Sequence, residues 1–312
     1  MARAEATDIH QHMWPEGFVR ALATRTTAPF VRTGVRGWTM RIPGEPDYEF
    51  SATIHDPGLR ARALRNSGLD RALLANSSPL GVEALPEDEA RPLLEAWHDG
   101  VFEIAADRDE AAFGVWGALP IHGGEPADVD VLIDRGAVGI SLAAGALASP
   151  AQLDALGPVL RRLEVHDAPL FVHPGPAQPA THSGGPAPWW PALTDYVADM
   201  QAAWMTFAGW GRREHPALRI CFAMLAGGAP FQIERLIARG GPATAVRDSR
   251  LFYDTSSYGP KAIAAAASIV GPDQLVHGSD RPLVDGNPST ALGRQAAAAM
   301  TRENVARLLK GI

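Results

Sequence analysis

Asp8-Ile-His-Gln-His12, close to the start of the chain, is the segment that most directly predicts the fold. Side chains on a β-strand alternate between its two faces, so His10 and His12 should point in the same direction. Two imidazoles placed in this way can bind one metal ion at adjacent coordination positions. The segment therefore favours a strand that presents two metal ligands, with a chance pair of surface histidines as the alternative.

Two later segments end in residues that suit the same site. The apolar run Leu170-Phe-Val is followed by His173, and Leu275-Val-His-Gly-Ser is followed by Asp280. A barrel collects functional side chains at the C-terminal ends of its strands, where Asp280 could serve as an oxygen ligand or as a base. A histidine that ends a strand and an aspartate that caps a helix are the structural alternatives. Together, the three segments predict one site built from three separate strands.

The rest of the chain alternates short apolar runs with longer helical patterns. This alternation predicts parallel strands with right-handed crossovers, in a closed barrel or in an open doubly wound sheet. No glycine-rich phosphate loop follows the first run, which disfavours a dinucleotide-binding sheet. We therefore predict one α/β domain over residues 1–312, a (β/α)8 TIM barrel. The predicted strands cover 6–12, 71–76, 114–119, 138–142, 170–173, 219–224, 251–255 and 274–279, and the predicted helices cover 57–67, 86–106, 127–135, 150–166, 190–215, 230–239, 260–270 and 290–310.

Two segments interrupt this alternation. Residues 24–53 are rich in Arg, Gly, Pro and aromatic residues and predict a small hairpin-bearing insertion after the first strand. Residues 174–188 form a Pro/Gly/Ser-rich loop after the fifth strand. Both would project from the C-terminal face of a barrel, where active sites are built, although either could be a plain surface connection.

Composition and charge restrict the class of partner. The chain is 46% hydrophobic with a formal net charge of -7, which argues against nucleic acid or an anionic membrane as the main partner. Cys221 is the only cysteine, so neither an intrachain disulfide nor a Cys-rich zinc cluster can form. The N-terminus lacks the apolar core of a signal peptide, and no apolar run reaches the roughly 18 residues of a membrane span. We expect a small-molecule substrate and a cytoplasmic protein.

Several segments resemble the amidohydrolase superfamily, in its amidohydrolase family 2 branch, which includes amino-carboxymuconate-semialdehyde decarboxylase and γ-resorcylate decarboxylase. The resemblance is carried by DIHQH, LFVHPG, CFAMLAGGAPFQIERL, HGSDRP and the late TRENVARLL, and so covers nearly the whole chain. It implies that His10, His12, His173 and Asp280 bind one divalent metal ion, zinc as the first choice and manganese as the second.

One position departs from the family pattern. In the sixth strand the family has Ala-His followed by glycines, whereas this chain reads Phe222-Ala-Met224-Leu-Ala-Gly-Gly. A thioether neither transfers protons nor polarises a carbonyl well. His182, in the loop after the fifth strand, is a candidate general acid or base in its place, although a histidine in a Ser/Gly loop is more often solvent-exposed. His277 is an odd number of residues from Asp280, so strand alternation should turn it away from the site.

Further residues are candidates for substrate contacts. Arg41 and Arg281 suit a substrate carboxylate, because a guanidinium presents a planar pair of donors. Trp14 and Trp189 suit an aromatic or apolar wall, and Met224 would contribute to the same wall. For each of them, a solvated surface charge or ordinary packing is the alternative.

The function predicted first is hydrolysis, with a metal-activated water attacking a lactone, amide or ester carbonyl and Asp280 taking the proton. This mechanism needs only the four predicted metal-binding residues and does not need the strand-six histidine that Met224 replaces. The family resemblance offers a second prediction, the non-oxidative decarboxylation of a hydroxylated aromatic or enol acid, which Met224 argues against. A third alternative is a degenerate, non-catalytic barrel. A homodimer is compatible with all three.

Overall fold

Eight parallel strands form the centre of the protein in the computed structural model, which describes residues 5–34, 37–107, 112–177, 187, 189–242, 244, 248–284 and 292–311. Their order around the sheet is β1-β5-β6-β7-β8-β9-β10-β11, so each strand lies beside the next barrel strand along the chain. The strands are β1 (Thr7–Gln11), β2 (Phe30–Gly34), β3 (Gly37–Arg41), β4 (Tyr48–Phe50), β5 (Arg71–Leu74), β6 (Phe113–Ala118), β7 (Gly139–Ala143), β8 (Leu170–His173), β9 (Ile220–Phe222), β10 (Leu251–Asp254) and β11 (Leu275–Val276).

The sheet closes between its first and last strands. The N–H of Ile9 donates to the carbonyl of His277, and the N–H of Asp280 donates to the carbonyl of His10, both at 2.9 Å. The N–H of His12 donates to the carbonyl of Arg281 at 2.7 Å. The fold is therefore the predicted (β/α)8 TIM barrel, and its seam runs between β1 and the residues that follow β11.

Each of the eight predicted barrel strands is present, with boundaries that shift by a few residues. Nearly all their residues are buried, because a parallel strand in a barrel is covered on both faces. The predicted sixth strand ran to Met224, but β9 ends at Phe222, and Met224, Leu225 and Ala226 have φ of 51°, 49° and 56°. Such left-handed backbone cannot continue a strand, so the chain turns sharply where Met224 enters the site.

Helices follow the barrel strands as expected, and five of the described α-helices have a proline in their first turn. One helix was not predicted: Glu16–Thr24 lies between β1 and the segment 24–53, and buries Phe18, Val19 and Leu22. The α-helices are Glu16–Thr24, Pro57–Asn66, Glu87–Ala106, Pro126–Asp134, Pro150–Val165, Trp190–Leu193, Asp195–Thr206, Arg212–Glu214, Ile233–Ala238, Pro260–Val270, Arg294–Thr301 and Glu303–Lys310, with a π-turn at Phe207–Gly211.

An antiparallel sheet of β2, β3 and β4 lies within the segment 24–53. Its strands are in register, with Phe30 opposite Arg41 and Trp38 opposite Phe50. Phe50 and Tyr48 contact Trp14 edge to face, at ring-centroid distances of 4.9 and 6.0 Å. The small sheet therefore packs next to the end of β1. None of the helices described is long and apolar enough to cross a membrane.

Candidate metal centre

Four side chains meet at the C-terminal end of the barrel strands. The Nε2 atom of His10 lies 3.1 Å from that of His12 and 2.9 Å from that of His173, and the latter two are 3.2 Å apart. Asp280 Oδ1 lies 3.0 Å from His12 Nε2 and 3.5 Å from His10 Nε2. The three imidazoles are buried, and Asp280 is 17% exposed on the cavity side. The strands thus bring together the residues that the sequence singled out.

The other ring nitrogens show which way the three Nε2 atoms face. His12 Nδ1 lies 2.9 Å from the carbonyl of Ala75, and His173 Nδ1 lies 2.8 Å from that of Pro174. A carbonyl only accepts, so both Nδ1 atoms carry hydrogen and both Nε2 atoms of the neutral rings present lone pairs. His10 Nδ1 faces Asp254 Oδ2 at 2.6 Å, which favours the same arrangement. Several lone pairs and a carboxylate oxygen therefore converge on one point.

This donor set fits a divalent cation. Nitrogen ligands at about 2.0–2.1 Å from a tetrahedral ion would be ~3.3 Å apart, close to the spacing of the three Nε2 atoms. Converging lone pairs repel one another unless a cation or a proton lies between them. Imidazole and carboxylate donors without thiolate suit zinc, and they also suit manganese.

The charges around the cluster also favour a cation. Burial lowers the pKa of His10, but the charge and hydrogen bond of Asp254, with smaller effects of Asp280 and Asp8, raise it to about 8. Burial raises the pKa of Asp280, but the hydrogen bond with His12 and the charges of the nearby histidines lower it to about 2. Burial and then the neighbouring imidazoles lower the pKa of His173. The cluster is held in a negative field, with Asp280 ionised over the whole physiological range.

Asp254 is the residue of the site that sequence reasoning missed. It ends β10, is completely buried, and holds His10 through Oδ2. Its Oδ1 accepts from the N–H of Met224 at 2.9 Å, and from the N–H and hydroxyl of Ser256 at 2.9 and 2.6 Å. One carboxylate therefore orients His10 and also fixes the turn that places Met224. Its position at the C-terminal end of a strand was the available signal.

Gly278 leaves the space that the pair of His10 and Asp254 needs. A Cβ atom at this position would lie 2.6 Å from Asp254 Oδ2 and 2.9 Å from the Cβ of His10. We expect Gly278→Ala to lower the free energy of unfolding of the metal-free protein by about 1–3 kcal/mol, the usual cost of overpacking. Urea unfolding in the presence of a chelator measures it. Gly259→Ala is the control, because a Cβ at Gly259 meets nothing within 4 Å; an equal effect of both variants would contradict the steric argument.

A cavity of about 450 Å³ opens onto the cluster through His173 and Asp280. The described residues that line it include no lysine or arginine. Glu45 and Asp47 come from the loop between β3 and β4, so the insertion forms part of the cavity wall. Residues that carry hydroxyl groups also line it, namely Tyr48, Ser77, Tyr196, Ser257 and Tyr258. The apolar part of the wall includes Trp14, Ile42, Leu80, Leu193, Met224 and Leu283.

Residues 7–311 match the family model described as amidohydrolase. The chain belongs to the amidohydrolase family. This confirms the resemblance that the sequence segments indicated.

Decarboxylases are among the proteins and solved structures that are similar to this chain. The 2-amino-3-carboxymuconate-6-semialdehyde decarboxylase of Dictyostelium discoideum is 24% identical over 251 residues, which are 75% of this chain and 66% of that protein. The match thus spans slightly less than two thirds of the relative's length. The apo IDCase of Metarhizium anisopliae has a TM-score of 0.82 at 18% identity, with 98% of this chain and 97% of that chain covered. The dihydroxybenzoic acid decarboxylase of Polaromonas sp. JS666, solved with manganese, has a TM-score of 0.68 at 14% identity, with 99% and 97% covered.

The substrate-contact residues suggested by the sequence of this amidohydrolase fall into two groups. Trp14 and Met224 line the cavity, and Trp14 is held there by its indole N–H, which donates to Ser77 Oγ at 3.1 Å. Arg41 is not among the described lining residues, and its guanidinium is paired with Asp47, which is one of them. Arg281 points elsewhere, with Nη1 3.3 Å from Ser67 Oγ.

The predictions for Trp189, His182 and His277 had three different outcomes. Trp189 is 57% exposed and is not among the described lining residues. His182 lies outside the residues that the structure describes. His277 is buried away from the cluster as expected, with Nε2 3.9 Å from Asp8 Oδ2.

Proposed function

We propose that the protein is a metal-dependent, non-oxidative decarboxylase of a small hydroxylated aromatic or enol acid. This was the second prediction from the sequence, and the decarboxylases among the chain's relatives support it over hydrolysis. The observation that carries the proposal is the cavity itself. It joins a His/Asp donor set to apolar walls and, in its described lining, contains no guanidinium or ammonium group.

These walls favour loss of a carboxylate. A carboxylate that enters the cavity leaves water for surroundings of Trp14, Leu80, Met224 and other apolar groups. Burying a charge without a partner is costly, whereas carbon dioxide is neutral. Because the described lining contains no lysine or arginine, its side chains offer the carboxylate no cationic partner and favour the neutral carbon dioxide. The cavity wall therefore favours the neutral product, carbon dioxide, over the charged carboxylate of the reactant.

His10, His12, His173 and Asp280 would hold the divalent ion, which when bound supplies a Lewis acid for oxygen atoms of the substrate. Asp254 keeps His10 in its ligating orientation, and the carbonyls of Ala75 and Pro174 do the same for His12 and His173. Manganese in the Polaromonas relative supports manganese as well as zinc for this chain. Zinc as the first choice stays a prediction that metal analysis decides.

Hydrolysis of a lactone, amide or ester remains the second candidate, because of one observation. Met224 occupies the position at which the family pattern has a proton-handling histidine, and its thioether cannot donate a proton. A hydrolase that uses Asp280 as its base would not need that histidine. The choice between the two functions thus depends on whether another proton donor faces the cavity.

Release of carbon dioxide is the measurement that tests the proposal. The manganese-loaded and the zinc-loaded protein are incubated with a panel of ortho-hydroxylated aromatic acids and enol acids, and separately with lactones, esters and amides. We expect carbon dioxide and the decarboxylated product from at least one acid, and no turnover of the second panel. Hydrolysis of a lactone or amide without release of carbon dioxide from any acid would overturn the proposal in favour of the second candidate.

A further inference from the structure

Decarboxylation needs a proton donor, and this inference rests on the proposed function. When the bond to the carboxyl carbon breaks, its electron pair stays on the ring or enol carbon, which must then gain a proton. Met224 cannot supply one. In the part of the chain that the structure describes, the cavity contains no imidazole other than that of His173, whose ring belongs to the donor cluster. The donor must therefore be sought among hydroxyl and carboxyl groups.

One pair of acidic groups stands out in the cavity wall. The hydroxyl of Tyr196 donates a hydrogen bond to Glu45 Oε1, which joins the helix Asp195–Thr206 to the loop between β3 and β4. Both residues line the cavity with His173 and Asp280. Tyr196 is 92% buried, with 8% of its surface exposed, and it packs in one cluster with Met224. The phenol thus adjoins the residue that replaces the expected histidine.

We propose that Glu45 and Tyr196 are the proton-donating pair of this enzyme and that they take over the role of the missing strand-six histidine. In the step, the carbon–carboxyl bond breaks and carbon dioxide leaves. When Glu45 is protonated, the hydrogen bond between the two residues runs from Glu45 to the Tyr196 oxygen, which leaves the Tyr196 proton free to face the cavity. The Tyr196 hydroxyl then gives this proton to the carbon that keeps the electron pair, and Glu45 gives its own proton to the Tyr196 oxygen. Glu45 is left as a carboxylate, which takes a proton from solvent before the next turnover.

The pKa values of Glu45 and Tyr196 suit a pair of proton donors. Burial raises the pKa of Glu45; the hydrogen bond from Tyr196 lowers it, and the charge of Asp195 raises it, with a net increase. A carboxyl with a raised pKa holds a proton closer to neutral pH, as a general acid requires. Burial and then the charge of Glu45 raise the pKa of Tyr196, so the phenol keeps its proton unless a partner replaces it. Asp280 and Asp195 are the other charged groups acting on Tyr196.

The test uses the metal-loaded full chain and the acid from which the wild type releases carbon dioxide. We expect Tyr196→Phe and Glu45→Gln each to lower kcat by about 10²-fold or more, the range for one general acid, with KM changed less than about threefold. The wild-type rate should fall as pH rises through the raised pKa of Glu45, because the acid form is the active one. Glu45→Gln keeps the size of the side chain and should lose this dependence, which a merely structural link between loop and helix would not produce.

Matched controls separate this assignment from a general loss of structure. Tyr253→Phe removes a hydroxyl that accepts from Trp204 and is not in the described cavity wall, and Glu234→Gln changes an exposed glutamate. Both should keep kcat within about threefold of wild type. All variants should retain the wild-type metal content, since neither residue of the pair is in the donor cluster.

Three other outcomes would contradict either the role of the Glu45–Tyr196 pair or the decarboxylase function. If kcat and its pH dependence survive in both Tyr196→Phe and Glu45→Gln, the pair is not the donor, although the proposed function stands. If His182→Gln lowers kcat 10²-fold while the pair can be changed without effect, the proton comes from His182 (the candidate suggested by the sequence). If the wild type releases no carbon dioxide from any acid, the proposed function fails, and the role of the pair fails with it.

Discussion

The metal content of the His10→Ala/His12→Ala variant is expected to fall from about one equivalent per chain to less than about 0.1, because two of four converging donors are removed. Release of carbon dioxide should fall by roughly 10³-fold or more, since a bound ion contributes several kcal/mol to the stabilisation of a transition state. Plasma mass spectrometry after dialysis gives the metal content, and steady-state rates with added manganese or zinc give the activity.

His166→Ala is the control for this variant. His166 is a histidine that also pairs with an aspartate, with Nε2 2.6 Å from Asp130 Oδ1, but it is only partly buried and lies at the end of a helix outside the donor cluster. It should keep the wild-type metal content and rate. A double variant that still holds one equivalent of metal would remove the basis of the proposed mechanism.

Asp254→Asn is expected to weaken metal binding by about 10–100-fold, the usual effect of losing the carboxylate that orients a ligating histidine. Oδ1 of Asp254 accepts three hydrogen bonds and Oδ2 faces His10, so both oxygens are in use. An asparagine must turn its amide NH₂ either towards His10 or towards the N–H groups of Met224 and Ser256. In either case a buried donor loses its acceptor. Competition with a chelator of known affinity measures the change for each metal.

Asp130→Asn makes the same chemical change in a matched pair. Asp130 contacts His166 at 2.6 Å, as Asp254 contacts His10, but Asp130 is on the outer helices. This variant should bind metal like the wild type. Equal weakening in both variants, or none in Asp254→Asn, would show that Asp254 does not act through His10.

The sequence was sufficient for the barrel and for the four converging donors because both depend on local rules. Alternation along β1 puts His10 and His12 on one face, and parallel strands bring their C-terminal ends, with His173 and Asp280, to the same mouth. Asp254 was missed because an aspartate at the end of a strand has no feature of its own that distinguishes a ligand-orienting role from a turn. Only His10, on strand β1 two positions away around the closed barrel, gives Asp254 that role.

The prediction that Arg41 and Arg281 bind a substrate carboxylate shows a second limit of prediction from sequence. Arg41 was a reasonable partner for a substrate carboxylate, but the hairpin brings Asp47 to it, and this pairing depends on the β3–β4 loop. The pair of Glu45 and Tyr196 was equally hidden, because its residues are 151 positions apart in the chain. Contacts between distant loops decide which polar groups face a cavity, and sequence spacing does not report them.

The seam of the barrel has a consequence for the order of folding. His10 lies on β1, His12 directly follows it, and Asp280 comes after β11, so the site joins segments about 270 residues apart. A ribosome synthesises the N-terminal segments first, so His10 and His12 exist for most of translation without their partner from the seam. Contacts of such large sequence separation form late. We therefore expect the ion to be captured only after release of nearly the whole chain, and nascent chains that end before Asp280 to lack high-affinity metal binding.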